Sequence, residues 1–156
     1  MAAITVSADY AVTPEQLWAT LEPIERHVEW MADAVVIRFE TDQTRGVGTR
    51  FLCETKVGPF RLTDRMTITE WAPGTAMGVS HTGVVTGTGR FTLHELDGGR
   101  TRFCWEEELC FPWWLGGRVG AIVGGQLVMK AVWRRNLRRL ARATSSAPVT
   151  RRGPGP

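Results

Sequence analysis

Hydrophobic and polar positions alternate from the start of the chain, with Ile4, Val6, Ala8 and Tyr10 on one side and Thr5, Ser7 and Asp9 on the other. This period of two predicts a half-buried strand over residues 3–12. Thr13-Pro14-Glu15-Gln16 then reads as a helix start, with Thr13 as the cap, Pro14 at the first helical position and Gln16 three residues after the cap. A short helix follows to about Leu21, and Pro23 restarts a second one that ends near Met31. From Val35 to Phe111 the alternation returns. It is broken by turn signals at 43–48, Gly58-Pro59, Ala72-Pro73-Gly74, Gly83 and Asp97-Gly98-Gly99. Connections this short join antiparallel neighbours, so these six strands form a meander and the first strand makes seven. The period then changes. Trp113 to Ala143 reads as one long helix, with Leu115, Val119, Ile122, Gln126, Met129, Trp133, Leu137 and Leu140 on one stripe. Arg134, Arg135, Arg138, Arg139 and Arg142 fall on its opposite side. Five glycines between Gly116 and Gly125 weaken the helix start. A stripe this long needs a large apolar partner, and the inner face of the sheet is the candidate. Residues 144–156, rich in Ser, Pro, Gly and Arg, read as a disordered basic tail.

The order of elements, together with three local phrases, resembles the helix-grip fold of the SRPBCC superfamily. The phrases are Thr13-Pro14-Glu15-Gln16-Leu17-Trp18 after strand one, Phe91-Thr92-Leu93 before Asp97-Gly98-Gly99, and Phe111-Pro112-Trp113-Trp114-Leu115-Gly116-Gly117 opening the last helix. That superfamily contains START lipid-transfer domains, Bet v 1 plant allergens and bacterial polyketide cyclase/dehydrase-like proteins, and the resemblance covers residues 3–143. It implies an α+β fold in which a seven-stranded curved antiparallel sheet wraps a long C-terminal helix, with two short helices after strand one. It also implies a single ligand-binding domain over 1–143 and a cavity for a hydrophobic molecule. No catalytic motif is shared across the superfamily, so no active-site residue is carried over.

Polar residues that interrupt the apolar inner face are the informative ones, because burying them costs free energy unless they are paired. Phe60, Leu62, Met66 and Ile68 bring Asp64 inward, and Met77 and Val79 bring His81. Phe103, Trp105, Leu109 and Phe111 bring Glu107, while Gln126 interrupts the helix stripe. The Gly58-Pro59 turn pairs Cys53 with Asp64. Pairing Glu70 with Thr75 at the next turn sets Asp64 opposite His81, Met66 opposite Val79 and Ile68 opposite Met77. An aspartate beside an imidazole would favour imidazolium and supply a proton donor or acceptor near neutral pH. The candidate catalytic set is His81, Asp64 and Glu107. The candidate ligand-binding set is Cys53, Met66, Met77, Phe91, Trp105, Gln126, Met129 and Trp133. Gly87 and Gly89 would leave space beside His81, and Glu107 falls beside Phe91 in this register. A Cys–Asp–His triad is not supported, since Asp64 stands between Cys53 and His81 and the base must touch the nucleophile. Cys53 then reads as a small buried hydrophobe.

Length and composition narrow the classes. At 156 residues, 43% hydrophobic and 22% charged, the chain suits one globular domain and excludes gross disorder. Three cysteines without a CxxC argue against a disulfide framework or a zinc site. The N-terminus lacks a basic region followed by an apolar run, so the expectation is a cytoplasmic protein with reduced thiols. Gly87-Thr88-Gly89 is not followed by a helix, so no phosphate loop, cofactor motif or metal site is read. Charge is uneven: residues 118–156 carry +9 of a whole-chain net of +3, which leaves residues 1–117 near −6. Two functions remain open on these grounds. One is cyclisation or dehydration of a carbonyl-rich, polyketide-like substrate by acid–base chemistry. The other is a non-catalytic carrier of lipid, isoprenoid or quinone that docks on an anionic membrane through Arg134, Arg135, Arg138, Arg139 and Arg142. Nucleic acid is disfavoured as a partner, because the outer sheet face shows no aromatic residues for base stacking. The Gly116, Gly120, Gly124 spacing would suit a homodimer contact.

Overall fold

The computed structural model describes residues 2–110, 112–113 and 126–145. Its strands are β1 (Ala2–Tyr10), β2 (Ala34–Phe39), β3 (Arg50–Val57), β4 (Phe60–Ala72), β5 (Ala76–Thr82), β6 (Thr86–Leu96) and β7 (Arg100–Cys110). They form one antiparallel sheet in the order β1-β7-β6-β5-β4-β3-β2, a six-strand meander closed by β1 against β7. Between β1 and β2 lie α1 (Pro14–Leu21), a 3₁₀ turn at Ile24–Arg26 and α2 (His27–Trp30), and α3 (Gln126–Ser145) follows the sheet. The expected capping box is present, with Thr13 Oγ1 accepting from Gln16 N–H and Gln16 Oε1 accepting from Thr13 N–H. The expected start of the long helix from 114 to 125, with its glycines and Trp114, lies outside the described residues, as do Phe111, the side chain of Gln126 and the tail after 145.

The concave face of the sheet and the inner faces of the helices make one apolar core. Phe103, Leu93, Ile4 and Val6 come from the strands, Leu17, Leu21 and Trp30 from the short helices, and Trp133, Leu137 and Leu140 from α3. The α3 contributors are the residues that the stripe predicts. Two polar contacts fasten the helix. The Tyr10 hydroxyl donates to Leu137 O at 2.9 Å, tying β1 to α3. Asn136, fully buried, accepts from Ala32 N–H at 2.8 Å and donates Nδ2–H to Asp33 Oδ1 at 2.6 Å. The loop between α2 and β2 is thereby held to the helix. On the convex side Arg65 pairs with Glu40, Arg90 with Glu70 and Arg102 with Asp9. These pairs are solvent-exposed and screened by water, so each contributes little to stability.

Register departs from expectation in two ladders, β4–β5 and β6–β7. Cys53 does pair with Asp64. In β4–β5, however, Met66 pairs with His81 and Ile68 with Val79, a slip of two residues, and on the turn side Trp71 pairs with Met77, a slip of three. The turn is tighter than expected, with Ala72 opposite Ala76 and Thr75 N–H donating to Ala72 O. A β-bulge between Ile68 and Glu70 then absorbs one residue of β4. Gly78 makes room for it, because a Cβ there would lie 2.9 Å from Glu70 Cβ. Across the bulge the inward series passes from Ile68 to Trp71, whose ring meets Trp18 of α1 edge-on at 5.4 Å. A second irregularity, between Ala34 and Val36, leaves the Val35 side chain exposed. Phe60, expected inward, is 53% exposed at the start of β4.

Removing the Asn136 clasp should cost far more than removing a convex-face ion pair. Asn136→Ala strands the Ala32 N–H and a partly buried carboxylate, an expected loss of about 2 kcal/mol by urea unfolding. Arg102→Ala should leave the urea midpoint close to that of the native protein. Equal losses would show that the clasp does not fasten α3.

Candidate functional site

The end of the concave face that α3 leaves uncovered forms a cavity of about 510 Å³. The walls follow from strand alternation. Cys53 comes from β3, Met66 from β4, Met77 from β5, Phe91 from β6 and Trp105 from β7. Met129 and Trp133 of α3 complete the wall. The aromatic part is interlocked: Trp133 stacks on Trp105 with centroids 5.0 Å apart and an interplanar angle of 23°, and Phe91 meets Trp105 edge-on at 5.1 Å. Phe60 and Val128, both more than half exposed, stand at its mouth.

Asp64, His81 and Glu107 all line this cavity, but their partners differ from the expected ones. Asp64 does not hydrogen-bond His81. Its Oδ1 accepts from Val85 N–H at 3.1 Å, holding the β5–β6 turn. Glu107 stands opposite Gly89, where Phe91 had been expected, and Phe91 pairs with Trp105. His81 stands opposite Gly87. Because β6 carries glycine at both positions, side chains from β5 and β7 can approach across it. His81 Nε2 and Glu107 Oε1 are 4.0 Å apart, each side chain being 9% exposed. A Cβ on Gly89 would lie 3.1 Å from Glu107 Oε1 and 3.1 Å from Val79 Cγ1, so even a methyl group there would crowd its neighbours.

Burial moves these two groups in opposite directions. The Glu107 carboxyl is pushed up to about 8 by desolvation; the charge of Asp33 adds to this, and the Trp105 indole N–H, donating to Oε1 at 2.9 Å, opposes it. The His81 imidazole is held below its ordinary value by burial, which outweighs the opposing charge of Asp64. The expected imidazolium is therefore not favoured. At neutral pH the site presents a carboxylic acid beside a neutral imidazole, and His81 Nε2 has no hydrogen-bond partner. The Cys53 thiol is pushed up to about 12 by burial and by the charges of Asp33, Asp64 and Glu107, which suits packing and not nucleophilic attack.

Two cavity residues escape the alternation argument. His27, the first residue of α2, is buried against Trp30 and Phe91; its Nε2 donates to Leu21 O at 2.7 Å, and burial lowers its pKa to about 4. Asp33 lies in the loop before β2 and is held by Asn136. Neither belongs to a periodic segment, so no face could be assigned to it; the one usable signal was an acidic residue just before an apolar strand. Among the described residues no three His, Cys, Asp or Glu side chains come together as metal ligands.

On the outer side of α3, Arg134, Arg135 and Arg138 are exposed, while Arg139 donates Nη2–H to Glu29 O at 2.9 Å. No described helix is long and apolar enough to cross a membrane.

Solved structures share this architecture at low identity. A protein from Thermus thermophilus superposes with a TM-score of 0.77 at 13% identity, covering 94% of this chain and 100% of its own. A START superfamily protein from Mycobacterium smegmatis gives 0.73 at 10%, covering 92% and 97%. The Zhui aromatase/cyclase from Streptomyces sp. R1128 gives 0.67 at 14%, covering 92% and 90%. These likenesses establish the helix-grip fold. No curated protein sequence matches the chain. A sequence model described as polyketide cyclase / dehydrase and lipid transport matches residues 1–144, nearly the whole chain, and the chain belongs to that family.

Proposed function

We propose that this protein binds a largely apolar, carbonyl-bearing molecule in its cavity and dehydrates or cyclises it by acid–base chemistry at His81 and Glu107. The observation that carries this reading is the unpartnered, buried His81 Nε2 lying 4.0 Å from a carboxyl that holds its proton at neutral pH. Environments that push a base down and an acid up leave each in the form that can react, the first to take a proton and the second to give one. In a dehydration, His81 Nε2 takes the proton from the carbon next to the carbonyl, the C=C bond forms, and the C–O bond at the neighbouring carbon breaks. Glu107 protonates the departing hydroxyl to form water, and this water, lying between the two groups, relays the proton on His81 back to Glu107 before it leaves. Atoms balance without a co-reactant. Asp64 positions the β5–β6 turn behind His81, and Trp105 orients the Glu107 carboxyl.

A bicyclic probe tests this. 3-Hydroxy-1-tetralone loses water to give 1-naphthol, and the protein should accelerate that loss. His81→Ala and Glu107→Gln should each lower kcat by about a hundredfold or more, with affinity for naphthalene, which lacks the hydroxyl, kept within about threefold. Equal loss of turnover and binding, or no acceleration by the native protein, would count against catalysis.

A carrier of lipid, isoprenoid or quinone is the second reading. It draws support from the apolar mouth residues Phe60 and Val128 standing on the same molecule as the exposed Arg134, Arg135 and Arg138. It expects sedimentation with phosphatidylserine vesicles that weakens as salt rises, and little with phosphatidylcholine. Binding to both vesicles alike, insensitive to salt, would remove the arginines from the account.

Glu107 also leaves a pH signature that needs no substrate. Its folded value is about 8 against an ordinary 4.5, so between the two the folded state holds a proton that the unfolded state has lost. Stability therefore falls as pH rises through that window. His81 and His27 act oppositely: both are lowered from 6.5, so they add stability as pH rises toward 6.5 and nothing beyond it. Cys53 is raised from 9.0 and acts only above that. From pH 6.5 to 8 the Glu107 slope stands apart from these three, at no more than about 1.4 kcal/mol per pH unit. Urea unfolding should show stability dropping by about 1–2 kcal/mol over this range in the native protein, and Glu107→Gln should abolish the drop. A variant with an unchanged slope would mean that Glu107 is already ionised in the fold.

A further inference from the structure

The polar groups of the cavity are unequal in charge. Three carboxyl groups line it, Asp33, Asp64 and Glu107, each on a different element. Each receives a hydrogen bond from the protein: Asp33 from Asn136 Nδ2–H, Asp64 from Val85 N–H and Glu107 from Trp105 Nε1–H. A carboxyl group offers about four lone-pair directions, so each retains accepting capacity. Two donors on the lining are already engaged, the His27 ring N–H by Leu21 O and the Trp105 indole by Glu107. The one cationic side chain on the described lining, Arg90, makes two hydrogen bonds to Glu70 at 2.6 and 2.9 Å. Against this acceptor-rich surface stands the unpartnered His81 Nε2, on a side chain 9% exposed.

We infer that the cavity selects ligands whose polar end is uncharged and donates a hydrogen bond, a phenol or an alcohol, and turns away fatty-acid, phosphate and other anionic headgroups. A hydroxyl entering beside His81 can donate to Nε2 and accept from Glu107, since one oxygen can lie about 2.8 Å from both atoms when these are 4.0 Å apart. An anionic headgroup meets like charge instead. The charges of Asp33 and Asp64 already push up the Cys53 thiol between them, and Asp33 also pushes up Glu107. A further anion would face the same repulsion in a low-dielectric, apolar enclosure, with Arg90 already held outward. The discrimination thus comes from unfavourable pairing as well as from fit. It rests on the reading of the cavity as a ligand site and is independent of whether a reaction follows.

Binding of two matched probes at pH 7, 1-naphthol and 1-naphthoate, separates the outcomes. Titration into the native protein, read by calorimetry, should show 1-naphthol at least tenfold tighter. In the double variant Asp33→Asn, Asp64→Asn, whose amide oxygens can still accept the Asn136 and Val85 hydrogen bonds, the difference should shrink to about threefold or less. Equal affinity in the native protein, tighter naphthoate binding, or a preference unchanged in the double variant would overturn the inference. Failure of the dehydration assay alongside a retained naphthol preference would reject the enzyme and keep the selectivity. The reverse result would reject the selectivity alone.

Discussion

A seven-stranded antiparallel sheet has one face that water must not reach, and α3, packed against β1 and the short helices, closes one end of it. Trp133, Leu137 and Leu140 supply the apolar contact, while Asn136 and the carbonyl of Leu137 supply the two polar anchors that set how far along the sheet the helix lies. That placement decides the rest. It stacks Trp133 on Trp105, and Trp105 in turn carries the indole N–H that holds the Glu107 carboxyl. The cavity is the part of the concave face beyond the reach of this contact, so the site and the core are two ends of one packing arrangement.

The chemistry of the site follows from that dryness more than from any strong ionic contact. The bidentate ion pairs lie on the convex face, where water screens them. Inside, a carboxyl and an imidazole face each other too far apart to share a proton, and both stay neutral because ionising either would put charge into an apolar enclosure. Glycine on the intervening strand is what allows the two to approach.

Element order, strand faces and the burial of Asp64, His81 and Glu107 were legible in the sequence, because a period of two assigns faces without regard to which residue lies opposite. Register was not. The expected Asp64–His81 pair assumed a wider turn after Trp71, and an error of two residues leaves every side chain on its predicted face, so the apolar matches could not expose it. His27, Asp33 and Asn136 were missed for a different reason. The first two belong to short, aperiodic segments, and the third is a polar residue whose value lies in a loop 103 residues away. On α3 the stripe did place Trp133, Leu137 and Leu140 correctly.

The bulge opposite Gly78 acts on the phase of the sheet. On its turn side Trp71 points in; on its far side the inward positions are Ile68, Met66 and Asp64, and the single absorbed residue reconciles the two. Were β4 to run on from the turn as a regular strand with no residue lost, Arg65 and Thr67 would face the cavity, and Asp64 and Met66 the water. The extra residue at the bulge therefore sets the polarity of the far half of the strand, and the missing side chain at Gly78 leaves room for it.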